Sequence, residues 1–458
     1  MPTSDPDGSA TDLLEALAAA VAGRVLTDPA STEAYRRDQC LVADAGRPLA
    51  VVRAAGVDDV VAVLRLADEH RVPVVTRGAG SGLAGAANAV DDGLVLDVSG
   101  LDALSVDPVA RTATVGPGVV NLDLDTAARA HGLFYAPDPG SRAYSSIGGN
   151  LATNAGGMCC AKYGVTADHA LALTVVLPGG EVVRTGRTTR KDVVGLDLTR
   201  LLVGSEGTLG VVVEATVRLL PVPARTATAV LTFRDAAAAV DAVLAIGTVT
   251  TPSAVELMDA TTVRAVNAMT RMGLDETPTL LVQCDGSDAA AEIAAVAALA
   301  QRHGALEVLH SDDEEEGRAL MEARRVALTA LERQGTVLLD DVCVPVHRLP
   351  ELLGAIETAA RAHGVLVGTF GHAADGNLHP TIVFDPASPG AAEAARACFD
   401  AIVDAALALD GTVSGEHGVG VLKAPYVARQ VGAAEQALMR RVRAAFDPHG
   451  IMNPGRGY

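Results

Sequence analysis

Three glycine-rich loops, separated by apolar strands, are the feature that most constrains how this chain can fold. The first is Arg-Gly-Ala-Gly-Ser-Gly-Leu-Ala-Gly at 77–85, the second lies within 139–157, and the third is Gly-Ser-Glu-Gly-Thr-Leu-Gly at 204–210. Because glycine has no Cβ, successive backbone N–H groups of such loops can converge on one anion. Together the loops predict a backbone surface that binds an extended dinucleotide through its pyrophosphate.

The first loop also contains a formal match to the Rossmann fingerprint, G-S-G-L-A-G at 80–85. That fingerprint requires a helix directly after the loop and an acidic residue about 20 positions further on. Residues 86–93, Ala-Ala-Asn-Ala-Val-Asp-Asp-Gly, are too short and turn-rich for such a helix. An NAD-type fold and a purely structural turn stay open for this loop alone, but the other two loops favour a pyrophosphate cradle.

Composition excludes several functional classes. The formal net charge is -20 and aromatic residues make up 3% of the chain, which disfavours nucleic-acid binding because phosphate backbones repel an acidic surface. Residues 1–11 lack the basic and apolar regions of a secretory signal, and the apolar stretches are too short to cross a membrane. The six cysteines form no CxxC pattern. We therefore expect a cytoplasmic protein without a transmembrane segment.

The chain is predicted to be α+β with two domains. Short strands and Ala-rich helices alternate up to Pro221-Val222-Pro223, where the composition shifts. Beyond that point we predict a strand at 226–233, helices at 235–246 and 289–303, and a helix start in the acidic run 312–316, since negative charge suits a helix N-terminus. The predicted domains are 1–222, completed by 416–458, and 223–415.

Two further segments contain the residues of a metal site. Residues 371–380 read Gly-His-Ala-Ala-Asp-Gly-Asn-Leu-His-Pro, and residues 414–420 read Ser-Gly-Glu-His-Gly-Val-Gly. His372 and His379 flank a polar turn and can converge on one cation if the loop folds back. Two histidines and one carboxylate, here Glu416, leave positions open for substrate, as in catalytic metal sites. The alternative is that these are solvated loop residues.

The glycine-rich loops carry a resemblance to a known family. The order R-G-A-G-S-G, P-D-P-G-S followed by I-G-G-N-L-A-T-N-A-G-G, and L-V-G-S-E-G-T-L-G resembles the FAD-binding PCMH-type (vanillyl-alcohol-oxidase-like) oxidoreductases. It is most similar to the branch of D-lactate dehydrogenases of the cytochrome type, glycolate oxidase flavoprotein subunits and D-2-hydroxyglutarate dehydrogenases, from about residue 45 to 457. The resemblance implies a two-domain PCMH-type fold with an α/β substrate (cap) domain, and an active site between the domains.

The resemblance also implies which residues bind FAD. The loop at 78–82 would hold the pyrophosphate, and the absence of histidine from 77–85 predicts non-covalent binding. The implied FAD residues are Gly78, Ala79, Gly80, Ser81, Gly82, Pro139, Gly140, Ser141, Gly148, Gly149, Asn154, Gly157, Glu206, Gly210 and Asn453. In this branch, His372, His379 and Glu416 would ligate Zn²⁺ or Mn²⁺.

The chemistry of the branch indicates catalytic roles. Oxidising a 2-hydroxy acid removes a hydroxyl proton and a hydride, and a neutral imidazole can take the proton. We predict His417 as this base and Asn377 as a residue that orients substrate. Arg324, by resemblance to a W-x-x-R position, would bind the substrate carboxylate; Met321 replaces the tryptophan, so Arg325 and an ordinary surface arginine stay open.

D-lactate is the expected substrate. D-2-hydroxyglutarate enzymes of the branch would place a lysine before the Asp340-Asp341 motif to hold a second carboxylate, whereas this chain has Leu339, and burying an unpaired carboxylate is costly. Glycolate and D-2-hydroxyglutarate remain alternatives, as do a non-redox group transferase of the same fold and a non-catalytic subunit. The implied partners are a cytochrome, quinone or electron-transfer flavoprotein as electron acceptor, and a second copy of the chain in a homodimer.

Overall fold

The computed structural model describes residues 6–189 and 191–457. They form two compact units. Of these described residues, the first unit comprises 6–155, 165–189, 191–222 and 416–457, and the second comprises 156–164 and 223–415. The segment 156–164, which the sequence placed in the first domain, groups with the second unit. Of residues 1–11, on which the prediction about a leader depends, 1–5 lie outside the described residues.

Helices and strands alternate along the described chain. The helices are α1 (Pro6–Ala20), α2 (Pro29–Glu33), α3 (Val57–His70), α4 (Asn121–Arg129), α5 (Ile147–Thr153), α6 (Cys160–Tyr163), α7 (Thr166–His169), α8 (Leu198–Leu202), α9 (Ala236–Gly247), α10 (Ala260–Thr270), α11 (Ala289–Arg302), α12 (Glu314–Arg325), α13 (Ala327–Glu332), α14 (Leu349–His363), α15 (Ala391–Ala408), α16 (Ala424–Gln430) and α17 (Ala433–Phe446).

The strands are shorter. They are β1 (Arg24–Leu26), β2 (Ala50–Arg53), β3 (Val74–Arg77), β4 (Leu94–Asp97), β5 (Leu104–Asp107), β6 (Thr112–Val115), β7 (Leu133–Phe134), β8 (Ala170–Val176), β9 (Val182–Gly186), β10 (Val211–Arg218), β11 (Leu220–Pro221), β12 (Thr226–Phe233), β13 (Ala254–Met258), β14 (Thr279–Asp285), β15 (Ala305–Ser311), β16 (Thr336–Leu339), β17 (Val342–Cys343), β18 (Leu366–His372) and β19 (Asn377–Phe384).

The first unit contains two main sheets. One has the order β1-β2-β4-β3, and the other has the order β5-β6-β10-β8-β9. In the first sheet β2 and β3 run parallel to β4, and such sheets need a helix to cover them. Helix α3 supplies this cover, since Val60, Val63, Leu64 and Ala67 share its inward face and are buried. The loop after β3 is the first glycine-rich loop.

The second unit is built on one large sheet. Its strand order is β15-β12-β14-β13-β18-β19-β16, and β17 also pairs with β19. Helices α10 and α13 contribute to a buried apolar core with this sheet, in which Val263, Val266, Leu331 and Phe370 take part. Strands β18 and β19 form a hairpin in which His372 pairs with Asn377, which places the polar turn between them at the end of the hairpin.

Residues 156–164 belong to the second unit because their side chains bind there. The Lys162 ammonium pairs with the Asp285 carboxylate, and the Tyr163 hydroxyl donates to the same carboxylate at 2.7 Å. Asp285 ends β14, so this carboxylate holds the segment at the end of a central strand. Sequence alone could not have indicated this pairing, since Lys162 and Asp285 are 123 positions apart.

Among the described residues, none of the helices is both long enough and apolar enough to cross a membrane.

Candidate active site

The loop after β3 lies against Ser146. The backbone N–H of Ala79 donates to Ser146 Oγ at 3.3 Å. A Cβ on Gly78 would meet the same Oγ at 2.3 Å, and a Cβ on Gly80 would meet the Arg77 guanidinium at 2.1 Å. Gly80 also has φ +67°, which L side chains rarely adopt. The loop therefore needs glycine both for its conformation and for its close packing.

The other predicted cofactor residues mostly shape the backbone. Asn154 ends α5 in the left-handed conformation, and its Oδ1 accepts from the Ala167 N–H at 2.9 Å. Gly148 donates to Pro117 O at 2.9 Å, and Gly210 packs so closely on β8 that a Cβ would meet Val175 at 2.8 Å. Pro139, Gly140 and Ser141 lie in a turn, Gly149 donates to Ser146 Oγ, and Gly157 lies in the second unit.

Glu206 fixes the loop that carries Glu416 and His417. Its buried carboxylate accepts from the Val419 N–H and, at 2.9 Å, from the Gly420 N–H. Burial raises the pKa of Glu206, and these hydrogen bonds oppose that rise. Within this loop His417 Nε2 lies 3.9 Å from Glu416 Oε1. Glu206 thus holds the predicted base and one predicted metal ligand through the backbone.

The same loop packs on the first glycine-rich loop. Val421 and Leu422 donate their N–H groups to Ala84 O at 2.9 and 3.0 Å. A Cβ on Gly420 would meet that carbonyl oxygen at 2.1 Å. Asn453 adds a further connection, because its Nδ2 donates to Ala86 O at 3.1 Å and to Glu206 O at 2.6 Å. Residues far apart in the chain therefore form one continuous surface in the first unit.

The β18–β19 hairpin brings two imidazoles together in the second unit. His372 pairs with Asn377 and His379 pairs with Phe370, so both histidines project from one face of the hairpin. Their Nε2 atoms are 3.3 Å apart, and the residues are only 5% and 3% exposed. The hairpin thus produces the convergence that the spacing predicted, although the role of the histidines as metal ligands stays a prediction.

A buried carboxylate that the sequence prediction missed lies behind His372. Glu256 is fully buried on β13, and its Oε1 lies 2.7 Å from His372 Nδ1. Its Oε2 lies 2.6 Å from Arg324 Nε. Burial acts to raise the pKa of Glu256, but the interactions of its carboxylate with His372 and Arg324 outweigh burial, so the pKa lies below its ordinary value.

Arg324 and its neighbour Arg325 differ sharply. Arg324 is 8% exposed and its guanidinium lies 4.6 Å from the centre of the Phe370 ring. Arg325 is exposed and forms an ion pair with Glu322 at 3.4 Å on the same helix. The position of Arg324 beside the histidine-bearing hairpin favours it over Arg325 as the substrate-binding arginine.

Asp341 and Asn377 form a second buried polar pair. Asn377 Nδ2 donates to Asp341 Oδ1 at 2.8 Å, and Asp341 Oδ1 lies 3.6 Å from His379 Nδ1. Ser414 Oγ donates to Asp341 Oδ2 at 2.8 Å, and Gly415 packs so closely on Asn377 that a Cβ would meet its Nδ2 at 2.0 Å. Asn377 therefore holds this cluster together through its amide.

Comparison with known families decides the identity of the fold. Residues 222–456 match the FAD linked oxidases, C-terminal domain, and residues 48–186 match an FAD binding domain. The chain belongs to the FAD-linked oxidase family. It has the two-domain PCMH-type FAD-binding fold with mixed helices and sheets, as the resemblance implied.

Several proteins are similar to this FAD-linked oxidase. It is 40% identical over 416 residues to the glycolate oxidase subunit GlcD of Bacillus subtilis, covering 89% of this chain and 88% of that protein. It is 35% identical to the mitochondrial D-lactate dehydrogenase (cytochrome) of Arabidopsis thaliana, covering 89% and 73% of the two chains. A solved structure of p-cresol methylhydroxylase with substrate bound is similar in fold, with a TM-score of 0.83 at 19% identity, covering 100% and 98% of the two chains.

The first unit of this FAD-linked oxidase fits its cofactor. Within the described ranges, the N–H groups of Gly80, Ser81 and Gly82 donate to no protein acceptor, and a pyrophosphate needs such donors. Buried side-chain atoms without a protein hydrogen-bond partner also lie in this unit: Thr76 Oγ1, Ser145 Oγ, Asn150 Nδ2 and Asn453 Oδ1. Buried polar groups are normally paired, and FAD offers both donors and acceptors.

The sequence analysis missed two buried carboxylates, Glu256 and Asp341, and only Glu256 could have been identified from its sequence context. Glu256 is the one charged residue in the apolar strand Ala-Val-Glu-Leu-Met, all of which is buried. A lone carboxylate in such a strand is rare unless it is paired, and that exception could have identified it. Asp341 follows the apolar strand β16, but the sequence around Asp341 does not indicate that it accepts a hydrogen bond from Asn377.

Proposed function

We propose that this FAD-linked oxidase oxidises a short D-2-hydroxy acid, D-lactate to pyruvate, with the help of a divalent metal, Zn²⁺ or Mn²⁺. The observation that carries the proposal is the pair of buried imidazoles of His372 and His379, whose Nε2 atoms are 3.3 Å apart. An apolar core does not need two such groups facing each other, whereas a cation does. The relatives named for glycolate and D-lactate give the substrate class.

His372, His379 and Glu416 are the proposed metal ligands. Glu416 is joined by one peptide bond to Gly415, which packs against Asn377 on the histidine-bearing hairpin. Consecutive Cα atoms are about 3.8 Å apart, so chain connectivity alone keeps Glu416 close to the hairpin. Two histidines with one carboxylate leave coordination positions for a substrate.

The chain's own residues supply the remaining chemistry. When bound, FAD would accept the hydride from C2 of the hydroxy acid, and the metal would lower the pKa of the substrate hydroxyl. His417 takes the hydroxyl proton as general base, and Glu206 holds it in place by accepting from the N–H groups of Val419 and Gly420. Arg324 binds the substrate carboxylate through parallel N–H donors.

Leu339 supports a small substrate. This residue is half-buried and packs against the apolar core that includes Leu331 and Phe370. A second substrate carboxylate would find no cation at this side chain, and desolvating it unpaired is costly. A monocarboxylic acid therefore fits better than 2-hydroxyglutarate.

Glycolate is the second candidate substrate. It is favoured by the 40% identity to GlcD of Bacillus subtilis, compared with 35% to the D-lactate dehydrogenase of Arabidopsis thaliana. Both acids are monocarboxylic and differ by one methyl group. Such a difference gives only about 10–200-fold discrimination in an apolar pocket. Electrons would pass on to a cytochrome, a quinone or an electron-transfer flavoprotein, and the homodimer also remains a proposal.

Anaerobic mixing with substrate tests the proposal directly. Purified protein loaded with FAD is mixed with D-lactate, L-lactate, glycolate or D-2-hydroxyglutarate, and flavin absorbance is followed. We expect D-lactate to bleach the flavin fastest and a chelator to slow the bleaching strongly. Bleaching by no hydroxy acid in the panel would refute the dehydrogenase and favour a group transferase or a non-catalytic subunit. Bleaching insensitive to chelation would refute the role of the metal alone.

A further inference from the structure

We propose that Glu256 is the positioning residue that orients His372 and at the same time holds Arg324. The proposal rests on the proposed function, because it assigns His372 to the metal and Arg324 to the substrate carboxylate. The buried carboxylate of Glu256 would then contact both His372, which is assigned to the metal, and Arg324, which is assigned to the substrate carboxylate.

The backbone register places Glu256 where it can act on His372. Strands β13 and β18 are adjacent and antiparallel, and Glu256 pairs directly with His372. Directly opposed residues on neighbouring strands have Cβ atoms about 4.5–5.5 Å apart. Glu256 therefore meets His372 from within the sheet, and its position does not depend on a flexible loop.

The hydrogen bond of Glu256 determines which nitrogen of His372 faces outward. An ionised carboxylate can only accept hydrogen bonds, so His372 Nδ1, 2.7 Å from Glu256 Oε1, must carry the proton. In a neutral imidazole the other nitrogen, Nε2, then keeps its lone pair. Nε2 is the atom that lies 3.3 Å from His379 Nε2, so Glu256 selects the tautomer that can bind a cation.

The second oxygen of Glu256 fixes Arg324. Arg324 Nε lies 2.6 Å from Glu256 Oε2, an ion-pair contact that is not an aligned hydrogen bond, and a guanidinium carries five N–H donors. The guanidinium can therefore direct its N–H donors at a substrate carboxylate while its ion pair with Glu256 is kept. The Phe370 ring, 4.6 Å from the guanidinium carbon, further restricts the plane of the fork. Substrate would meet an arginine that is already oriented.

The negative charge of Glu256 also allows a metal site and the Arg324 guanidinium to lie close together. A guanidinium close to a divalent metal site disfavours the metal, because like charges repel. Glu256 lies between Arg324 and His372 and is 0% exposed, so little solvent screens its charge from either neighbour. Removing this charge should weaken the metal and the substrate interaction together.

The test measures metal affinity, which does not depend on turnover. FAD-loaded protein is stripped of metal, and Zn²⁺ or Mn²⁺ affinity is measured by competition with a chromogenic chelator. For Glu256→Gln we expect affinity to fall by roughly 10–100-fold, the typical cost of losing a partner of a metal-bound histidine, and the KM for D-lactate to rise. Glu307→Gln, an exposed carboxylate on β15 of the same sheet, is the control and should change neither quantity.

A second variant separates positioning from general structural damage. Arg324→Gln removes a cation but leaves the bond between Glu256 and His372, so we expect metal affinity tighter than wild type, with a raised KM. Should Glu256→Gln fail to fold, this opposite sign decides the question. Wild-type metal affinity in Glu256→Gln, or loss of metal in Arg324→Gln, would overturn the proposal. If the wild-type protein binds no metal, the proposed function fails first.

Discussion

Two regions of the molecule use opposite means to build a binding site. The glycine-loop region, residues 77–85, 204–210 and 416–422, is held mainly by backbone groups, as in the donation of the Val421 and Leu422 N–H groups to Ala84 O. The hairpin region, residues 366–384 with Glu256, Arg324 and Asp341, is held by buried charged and polar side chains. The first would bind a large cofactor along its length and would also supply Glu416, and the second would supply the other proposed groups for a single cation and a small acid.

The difference shows which sites a sequence can reveal. A backbone site needs particular φ angles and close approaches, and these favour glycine at fixed local spacing. A side-chain site depends on strand register, which brings together residues that are distant in the chain. Glu256 and His372, for example, are 116 positions apart. A substitution in the hairpin region should leave the glycine-loop backbone intact, whereas a substitution in 416–422 should also affect the proposed ligand Glu416.

The largest expected effect comes from removing an imidazole of the hairpin region. His379→Ala should lower kcat/KM for D-lactate by roughly 10³-fold, because a Lewis-acid metal supplies several kcal/mol of charge stabilisation. Bound flavin, measured by absorbance, should stay at the wild-type level. His303→Ala, an exposed histidine of the same unit, serves as the control. Activity within twofold of wild type would show that the hairpin is not the catalytic site.

Much of the local structure followed from sequence pattern. The predicted strand at 226–233 has the observed bounds of β12, and the helix predicted at 289–303 is α11 at Ala289–Arg302. The acidic run at 312–316 does begin a helix, with Asp313 capping Glu315 and Glu316. These elements are defined by hydrophobic period, caps and turns, which act over a few residues.

The rest required contacts that sequence pattern does not contain. The assignment of residues 156–164 to the second unit depends on Lys162 meeting Asp285. The role of Glu206 depends on two N–H groups more than 200 positions away. Neither pair has a local signature. The sequence around a charged residue looks the same whether the residue contacts solvent or a backbone group far away in the chain.

A second prediction breaks the glycine-loop region. Gly420→Ala should weaken flavin binding by roughly 10–100-fold, because the added Cβ would meet Ala84 O at 2.1 Å and such overpacking typically costs about 1–3 kcal/mol. The residue also has φ +52°, which alanine adopts only with strain. Flavin release on dilution gives the affinity. Gly432→Ala, with open space around its Cβ, should retain flavin, and equal retention by both variants would contradict this packing argument.

The third prediction concerns the stability of the fold at a buried carboxylate, Asp259, whose charge is compensated by nearby cations less fully than that of Glu256. Asp259 follows β13 and caps α10, accepting from the Thr262 N–H at 2.7 Å. Burial raises its pKa to about 6, against the opposing hydrogen bonds to Thr262 and Thr369 and the charge of Arg264. The neighbouring buried carboxylate Glu256 has a lowered pKa instead.

The sign of the pH effect follows from these pKa directions. Because the folded pKa of Asp259 lies above its unfolded value, its favourable contribution is present below about pH 4 and is lost as the pH rises through 6. Asp259→Asn removes this loss and keeps a good capping residue. Its free energy of unfolding, relative to wild type, should therefore be higher at pH 7.5 than at pH 4.5, by about 2 kcal/mol.

A second helix cap in the same unit provides a control of opposite sign. Asp235 is half-buried and caps α9, and bonds from the Ala238 N–H and from Arg234 lower its pKa. Its contribution is present above the unfolded pKa and lost as the pH falls, so Asp235→Asn should cost stability at pH 7.5 and little at low pH. Chemical denaturation of both variants at the two pH values checks this. If the unfolding free energies of Asp259→Asn and Asp235→Asn, each relative to wild type, change with pH in the same direction, burial does not distinguish Asp259 from Asp235. The low pKa of Glu256 could then no longer be attributed to its partners alone.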